Sequence, residues 1–329
     1  MIISKTPFRV SFFGGGTDYP EWFRHRGGAV LSATIDKYCY ITARRFPPFF
    51  QSRHRIVWSH IELVNSIAEI LHPAVREGLR HAGFRDDEGI EIYHQGDLPA
   101  RAGMGSSSCF AVGLVQVLAG LRGERFDPRV LASRAIELER DLLKEHVGWQ
   151  DQIAAAFGGL NRIDFALDGS FEVHPVSASF ERIKALEQRL MLIFTGTTRL
   201  STVIAKSLVE NLGQREATLL RMTELVSEGE AILEGQGDLD DFGFLLHEAW
   251  IRKRELSSQI SNPTIDRVYD AARRRGALGG KLLGAGGSGF ILLYAPMEMQ
   301  AAIREELAHL VHVPFTFSKN GCQIIHHEP

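Results

Sequence analysis

The stretch that decides the fold runs from Leu98 to Cys109 and reads LPARAGMGSSSC. Two glycines, Gly103 and Gly105, flank Met104, and three serines lead into an apolar run. Glycine allows a tight turn and a close approach to a ligand, and serine favours the start of a helix. Because a helix start carries unpaired N–H groups and the positive end of the helix dipole, this loop suits a phosphate group. A glycine turn before a capped helix, without any ligand, is the competing interpretation.

The composition limits the classes of function that the chain can have. Its 329 residues are 44% hydrophobic and 23% charged, with a net charge of -3. This charge argues against a nucleic-acid partner, because there is no basic excess to neutralise phosphates. No stretch approaches the ~20 apolar residues of a membrane span. Three widely spaced cysteines form no metal-ligand cluster, and Met1–Lys5 lacks the apolar core of a signal peptide, so we expect a cytoplasmic protein.

The order of the expected elements predicts an α+β protein of two domains. We place the boundary near residue 185, before the buried-type strand 190–194, and so predict domains over 1–185 and 186–329. Pro7 is expected to separate two short strands. The dipeptide Asp127-Pro128 predicts a helix that runs to about Lys144. The other expected elements are strands at 29–43, 89–94, 290–294 and 313–317 and helices at 73–82, 202–232 and 238–258.

The last glycine-rich stretch of the chain, Gly284–Gly289, formally matches the pattern G-x-G-x-x-G. A dinucleotide-binding fingerprint requires a strand before this pattern and a helix after it. Here a strand is expected after it and no strong strand before it, so we exclude dinucleotide binding. The chain also lacks G-x-x-x-x-G-K-[ST], which excludes a P-loop kinase.

Four charged residues are candidates for chemistry. Arg9 lies in an apolar strand, where a buried arginine would need an anionic partner; a strand-edge arginine facing water is the alternative. Asp18 follows three glycines and either caps a turn or binds a ligand. Glu139 shares a helix face with apolar residues and either pairs at the surface or helps to bind a divalent metal. Asp151 is either a residue of a first helical turn or a general base.

Three elements of the chain, taken in order, resemble the three motifs of the GHMP kinases. They are Pro7–Val10 with Gly14–Asp18, Pro99–Cys109 and Lys281–Gly289. The resemblance spans nearly the whole chain. It implies a two-domain GHMP kinase fold, with a ribosomal S5 domain 2-like N-terminal domain and a ferredoxin-like C-terminal domain. ATP is then expected in the cleft between them, with Mg²⁺.

The same resemblance implies roles for individual residues. Asp151 would be the catalytic base, and Arg9 a cation near the transferred phosphoryl group. Ser107 and Glu139 would bind Mg²⁺. The ATP phosphates would lie against Pro99, Arg101, Ala102, Gly103, Met104, Gly105, Ser106, Ser107 and Ser108. The acceptor would be bound by Gly15, Gly16, Thr17 and Asp18, with Gly286 and Gly287 in the supporting wall.

The first motif narrows the expected substrate. Phe13–Asp18 is similar to the branch of the family that phosphorylates sugar phosphates, and it lacks the Glu-His pair of galactokinases. Thr197–Arg199 and Trp250–Arg254 look like stretches of the same branch. The implied reaction is phosphorylation of the anomeric hydroxyl of a heptose 7-phosphate, on the way to GDP-heptose. Arg199, Arg252 and Lys253 are the candidate cations for the terminal phosphate.

Three other functions remain open at this point. The chain could phosphorylate a free sugar such as fucose, act as a decarboxylase on the same fold, or be a non-catalytic sensor of ATP and sugar. The presence of Arg9, Glu139 and Asp151 together favours an enzyme. The expected partners are ATP and a small sugar phosphate, and the sequence makes no prediction of the oligomeric state.

Overall fold

The computed structural model describes residues 1–196 and 212–328 of the chain. The described strands form two sheets. The larger has eight strands in the order β12-β1-β2-β5-β3-β4, with β6 paired to β2 and β7 to β6. The smaller has four antiparallel strands in the order β11-β8-β10-β9. The strands are β1 Ile2–Phe13, β2 Gly28–Arg45, β3 His54–Val57, β4 Ile61–Val64, β5 Ile90–Gly96, β6 Leu160–Phe165, β7 Phe171–Pro175, β8 Leu190–Phe194, β9 Gly279–Leu282, β10 Phe290–Tyr294, β11 Val311–Val313 and β12 Gln323–His327.

Ten described α-helices pack around these sheets. They are α1 Pro20–Arg26, α2 Pro73–His81, α3 Ser106–Leu121, α4 Pro128–Ile136, α5 Gln150–Phe157, α6 Phe180–Arg189, α7 Glu216–Glu234, α8 Asp240–Leu256, α9 Pro263–Arg274 and α10 Gln300–Glu306. Short 3₁₀ turns occur at Ile67–Glu69, Asp86–Glu88, Leu212–Arg215 and Met297–Met299. Among the described helices, none is both long and apolar enough to cross a membrane.

The first two strands are longer than predicted. β1 runs through Pro7 without a break, and β2 is one strand of 18 residues. Pro7 is opposite Tyr38 of β2, and the register between the strands shifts directly after it, before Arg9. A proline, which has no N–H to donate, is tolerated at such an irregularity. The predicted separation into two strands at Pro7 is therefore wrong.

The helix that begins at Pro128 starts as predicted, since the Asp127 carboxylate accepts the N–H of Val130 at 2.9 Å. It does not continue as a regular α-helix to Lys144. A π-helical segment, Glu137–Leu142, follows α4 directly. The wider π-turn changes which side chains face inward, and such segments often accompany functional sites.

The end of the chain differs from the prediction. The expected strand 313–317 is absent, and the strands are β11 and β12 instead. Pro314 explains the early end of β11, because proline cannot continue the ladder of hydrogen bonds. β12 pairs with β1 in the larger sheet. The proposed division at residue 185 therefore leaves residues 323–327 in the sheet of the first part.

Candidate active site

Loops from both parts of the chain meet at one cavity. The glycine loop after β1, the loop before α3, the segment before α5 and the loop after β9 all contribute to its wall, and Lys253 and Leu256 from the last turn of α8 complete it. The charged residues that line the cavity are Arg9, Asp18, Arg101, Glu145, Asp151, Lys253 and Lys281, with His146 beside them. The cavity thus brings together the three glycine-rich motifs of the sequence.

The loop before α3 has the backbone of an anion-binding turn. Gly103 and Gly105 have φ angles of 81° and 74°, in the left-handed region that glycine tolerates. Gly105 stands at the N-cap position, so the three serines are the first helical residues and not the cap. Their N–H groups lie in the first turn, where no intrahelical acceptor exists, and all three serines line the cavity. This arrangement can bind phosphate oxygens, and Gly103–Ser108 is therefore called the phosphate-binding turn below.

The third glycine-rich loop, Gly284–Gly289, packs against this turn, and the backbones of the two are in direct contact. A Cβ on Gly284 would lie 2.3 Å from the Cα of Gly103, and one on Gly289 would lie 2.2 Å from the carbonyl oxygen of Ala102. Only glycine permits these contacts. The loop follows strand β9, which the sequence analysis did not predict, and it precedes β10. Because a strand and not a helix follows, the exclusion of dinucleotide binding stands.

Several predicted ligand residues do not line the cavity. Ala102 and Met104 are fully buried beneath the phosphate-binding turn, and Pro99 is exposed outside the cavity. The hydroxyl of Thr17 is 2.8 Å from the carbonyl oxygens of both Gly14 and Ala29, which holds the first glycine loop to β2. Gly286 and Gly287 pack against Ile260. Thr17, Gly286 and Gly287 therefore lie behind the residues that line the cavity.

Arg9 and Asp151 form a two-pronged ion pair at the cavity. The Nε and Nη2 atoms of Arg9 donate to the two carboxylate oxygens of Asp151 at 2.6 and 2.7 Å. Arg9 also donates from Nη1 to the carbonyl of Gly103 at 3.0 Å. The side chain of Arg9 is 3% exposed and that of Asp151 is 23% exposed. The arginine therefore holds a carboxylate beside the phosphate-binding turn with one face open to the cavity.

Asp18 lies next to this pair, in a shell of N–H donors. It accepts the backbone N–H of Gly16 at 2.9 Å and that of Gln150 at 3.3 Å, and the Gln150 side-chain amide donates to it at 3.0 Å. Burial raises the pKa of Asp18 above its usual value, the N–H of Gly16 opposes this, and the charge of Asp151 adds to it. The carboxylate is thus fixed in place before any ligand arrives.

Gly148 makes room for Asp18, and this leads to a first prediction. A Cβ at residue 148 would lie 1.9 Å from the Oδ2 atom of Asp18. We expect Gly148→Ala to displace this carboxylate and to raise KM for the acceptor by about 10-fold or more, because a misplaced binding group forfeits its positioning effect. Steady-state kinetics with each substrate varied in turn will measure it. Gly237→Ala, at an exposed position with open space around it, should change neither KM. A rise in KM for ATP alone would contradict the assignment.

Glu139, in the π-helical segment, is 1% exposed and lies directly behind the serines. Its Oε2 atom accepts the Ser108 hydroxyl at 2.7 Å and the Gln152 amide at 2.6 Å. Its Oε1 atom is buried and, within the described part of the chain, has no hydrogen-bond partner. Burial raises the pKa of Glu139 to about 7, although the hydroxyls of Ser108 and Ser107 oppose this shift. A carboxylate with an unpaired oxygen beside two hydroxyls is a set of hard oxygen ligands that fits Mg²⁺.

The three candidate cations for a terminal phosphate have different positions. Lys253 lines the cavity. Arg252, the next residue along α8, faces the surface, where it is 38% exposed and pairs with Glu255 at 3.0 Å. Arg199 lies outside the described residues. The structure therefore brings Lys253, and not Arg252, to the site.

Sequence reasoning gave no role to several cavity residues. Lys281 is part of the third motif, but the motif assigns no role to its side chain. Gln150, Gly148 and Glu145 stand in a segment that shows no regular pattern. A lysine within a run of apolar and glycine residues was the one signal that pointed to a buried cation.

The fold and this cavity define a phosphotransferase that uses a hydroxyl group as acceptor. Residues 63–159 match the N-terminal domain of GHMP kinases and residues 230–309 match the GHMP kinase C-terminal domain. The chain belongs to the GHMP kinase family. This confirms the predicted two-domain fold and the use of ATP.

The names of similar proteins in the family give different substrates. A D-glycero-alpha-D-manno-heptose 7-phosphate kinase of Campylobacter jejuni is 27% identical over 97% of both chains. A bifunctional fucokinase/GDP-fucose pyrophosphorylase of Arabidopsis thaliana is 30% identical over 88% of this chain, which spans 29% of the plant protein. The crystal structure of a D-glycero-D-manno-heptose 1-phosphate kinase from Bacteroides thetaiotaomicron superimposes over 100% of both chains, with a TM-score of 0.81 and 22% identity.

Proposed function

We propose that this sugar kinase transfers the γ-phosphoryl group of ATP to the anomeric hydroxyl of D-glycero-D-manno-heptose 7-phosphate and forms the 1,7-bisphosphate. The observation that carries the proposal is the Arg9–Asp151 pair, which lies between the phosphate-binding turn and the Asp18 pocket. The full-length relationship with the C. jejuni heptose 7-phosphate kinase supports the choice of sugar.

Asp151 is the base in this mechanism. Each of its oxygens accepts one hydrogen bond from Arg9, so each keeps lone-pair capacity for the acceptor hydroxyl. A Cβ on Gly105 would lie 3.2 Å from the Oδ2 atom of Asp151, which shows how closely the carboxylate approaches the turn. As the acceptor oxygen forms its bond to the γ-phosphorus, the proton of the acceptor hydroxyl passes to Asp151. The bond between the γ-phosphorus and the oxygen that stays with ADP breaks.

Positioning and charge neutralisation account for the rest of the catalysis. The N–H groups of Gly103–Ser108 and the positive end of α3 neutralise phosphate oxygens. Glu139 and the hydroxyl of Ser107, with Ser108 behind it, are the residues that would hold Mg²⁺. When bound, the ion would draw negative charge from the nucleotide phosphates. Asp18 and the glycine loop Gly14–Gly16 would orient the hydroxyls of the sugar.

A free sugar such as fucose is the second candidate acceptor. The plant fucokinase relative favours it, and so does the position of Arg252 outside the cavity. A sugar without a terminal phosphate needs no further cation in the site. The alternative is therefore a kinase with the same mechanism and a different acceptor.

A substrate panel tests the choice. We will measure ADP release with Mg-ATP and D-glycero-D-manno-heptose 7-phosphate, sedoheptulose 7-phosphate, mannose 6-phosphate, galactose, fucose or mevalonate, with ATP alone as the background. We expect the highest kcat/KM with the heptose phosphate and a lower value with mannose 6-phosphate. Preference for fucose or galactose over every sugar phosphate would replace the proposed acceptor and leave the kinase mechanism intact.

A further inference from the structure

Two buried lysines face the cavity without an assigned role in the mechanism above. Lys253 of α8 is 7% exposed and Lys281 of β9 is 2% exposed. Burial lowers the pKa of Lys253 to about 7 and also lowers the pKa of Lys281. A buried ammonium group is costly unless an anion compensates it. Their presence in one cavity therefore requires a reason beyond packing.

Their protein partners satisfy hydrogen bonds but do not balance the charge. Lys253 donates to the carbonyl oxygens of Leu282 at 2.8 Å and Gly284 at 2.5 Å, and Lys281 donates to that of Phe12 at 2.8 Å. Two ammonium groups carry six N–H bonds, of which these contacts use three. Across residues 1–196 and 212–328, neither lysine forms an ion pair with a carboxylate.

The two carboxylates whose charges act on these lysines, Asp151 and Asp18, are engaged elsewhere. Both oxygens of Asp151 accept from Arg9, and both oxygens of Asp18 accept N–H groups of the loops. Among the described residues, the charged form of either lysine therefore has no counter-ion beside the Arg9–Asp151 pair, and an anion bound in the cavity would supply one and favour that form. A cavity of this charge is complementary to a multiply charged anion.

The anchoring carbonyls show where these charges lie. Phe12 is the second residue before the first glycine loop, which leads to Asp18. Gly284 packs against Gly103 of the phosphate-binding turn. Lys281 is thus held by the end of β1, which leads into the loop of the acceptor side, and Lys253 is held by the loop behind the nucleotide side. The phosphoryl group in transit must pass between these two sides.

We propose that Lys253 and Lys281 are catalytic residues that contact the oxygens of the transferred phosphoryl group. Both would donate hydrogen bonds through their free N–H groups to these oxygens while the phosphoryl group passes from ADP to the acceptor oxygen. Neither lysine would gain or lose a proton in this step. The inference rests on the proposed phosphoryl transfer but not on the identity of the sugar. It also moves Lys253 from the terminal phosphate of the acceptor to the reacting centre.

The test compares Lys253→Met and Lys281→Met with the unchanged protein. Methionine keeps most of the side-chain length and removes the charge. Calorimetry with Mg²⁺ present will measure Kd for ADP, for the β,γ-imido analogue of ATP and for the sugar phosphate. We expect the analogue to bind about 10- to 100-fold more weakly, because a charged hydrogen bond is lost. Kd for ADP and for the sugar phosphate should stay within about 3-fold, and kcat should fall about 10²- to 10³-fold.

Two further variants keep the test decisive. Lys281→Arg retains the charge and should recover part of the affinity for the analogue. Arg182→Met is the control, because Arg182 also donates to a carbonyl, that of Ile232 at 2.6 Å, but lies outside the cavity. This variant should leave all three Kd values unchanged.

If the lysine variants bound ADP and the analogue equally weakly and unfolded at a lower temperature, the lysines would have a packing role. Weakening confined to the sugar phosphate would place the lysines at its terminal phosphate. Either result overturns the proposal, and the nucleotide measurements remain valid whatever the sugar is.

Discussion

Asp151→Asn is expected to lower kcat by about 10²- to 10⁴-fold, because it removes the proton acceptor for the attacking hydroxyl. The fold should persist. Removing one partner of a buried ion pair costs about 3–5 kcal/mol, but the asparagine oxygen can still accept one bond from Arg9, and the carboxylate is 23% exposed in the native chain. We therefore expect a smaller loss of stability. ADP release and thermal unfolding, measured on the same preparation, will separate the two effects.

A surface carboxylate provides the matched control for this substitution. Glu216 pairs with Arg26 at 2.7 Å, and both side chains are about half exposed. Exposed pairs contribute little to stability, so Glu216→Gln should change neither kcat nor the unfolding temperature. If Asp151→Asn kept nearly normal kcat, another group would have to accept the proton and the proposed mechanism would be wrong.

Glu139→Gln is expected to lower kcat by about 10²-fold and to raise the Mg²⁺ concentration needed for half-maximal rate. The reason is local. The Oε1 atom is buried and has no hydrogen-bond partner among the described residues, and an amide there supplies no negative charge to a cation. Besides rates, Mn²⁺ binding in the presence of ADP, followed by water-proton relaxation, will report on the metal site directly.

Glu91→Gln is the control for loss of a buried carboxylate. Glu91 is 1% exposed on β5 and pairs with Arg44 and Arg55, away from the cavity. This variant should lower the unfolding temperature without a change in the Mg²⁺ requirement. Should Glu139→Gln behave in the same way, with normal Mn²⁺ binding, Glu139 would be a structural residue and not a metal ligand.

The parts of the site that could be predicted are those with local causes. Gly103 and Gly105 predict a tight turn, and the turn is present, with both glycines in the left-handed region. Asp127-Pro128 predicts a helix start, and the cap hydrogen bond forms. The buried Arg9 required an anion, and the structure supplies Asp151 from 142 residues away. The identity of that partner is not visible in the sequence.

The errors have non-local causes. The residues of β9 include two glycines, which have low strand propensity, and the strand exists because it pairs with β10. The π-helical segment holds Glu139 where it accepts hydrogen bonds from Ser108 of α3 and Gln152 of α5, which are not its neighbours in the chain. The return of β12 to the first sheet depends on a free edge of β1, which is created elsewhere in the chain.

The sequence by itself determined the three glycine-rich loops, the glycine turn at the start of α3 and the family, because each depends on residues that are close together in the chain. Only the tertiary structure decided which of two adjacent cations, Arg252 or Lys253, enters the cavity. Successive residues of a helix point about 100° apart, and a run of charges does not show which direction is inward. It also decided that Lys281 joins Lys253 there, because strand pairing and the packing of α8 on β9 bring together residues that are distant in the chain.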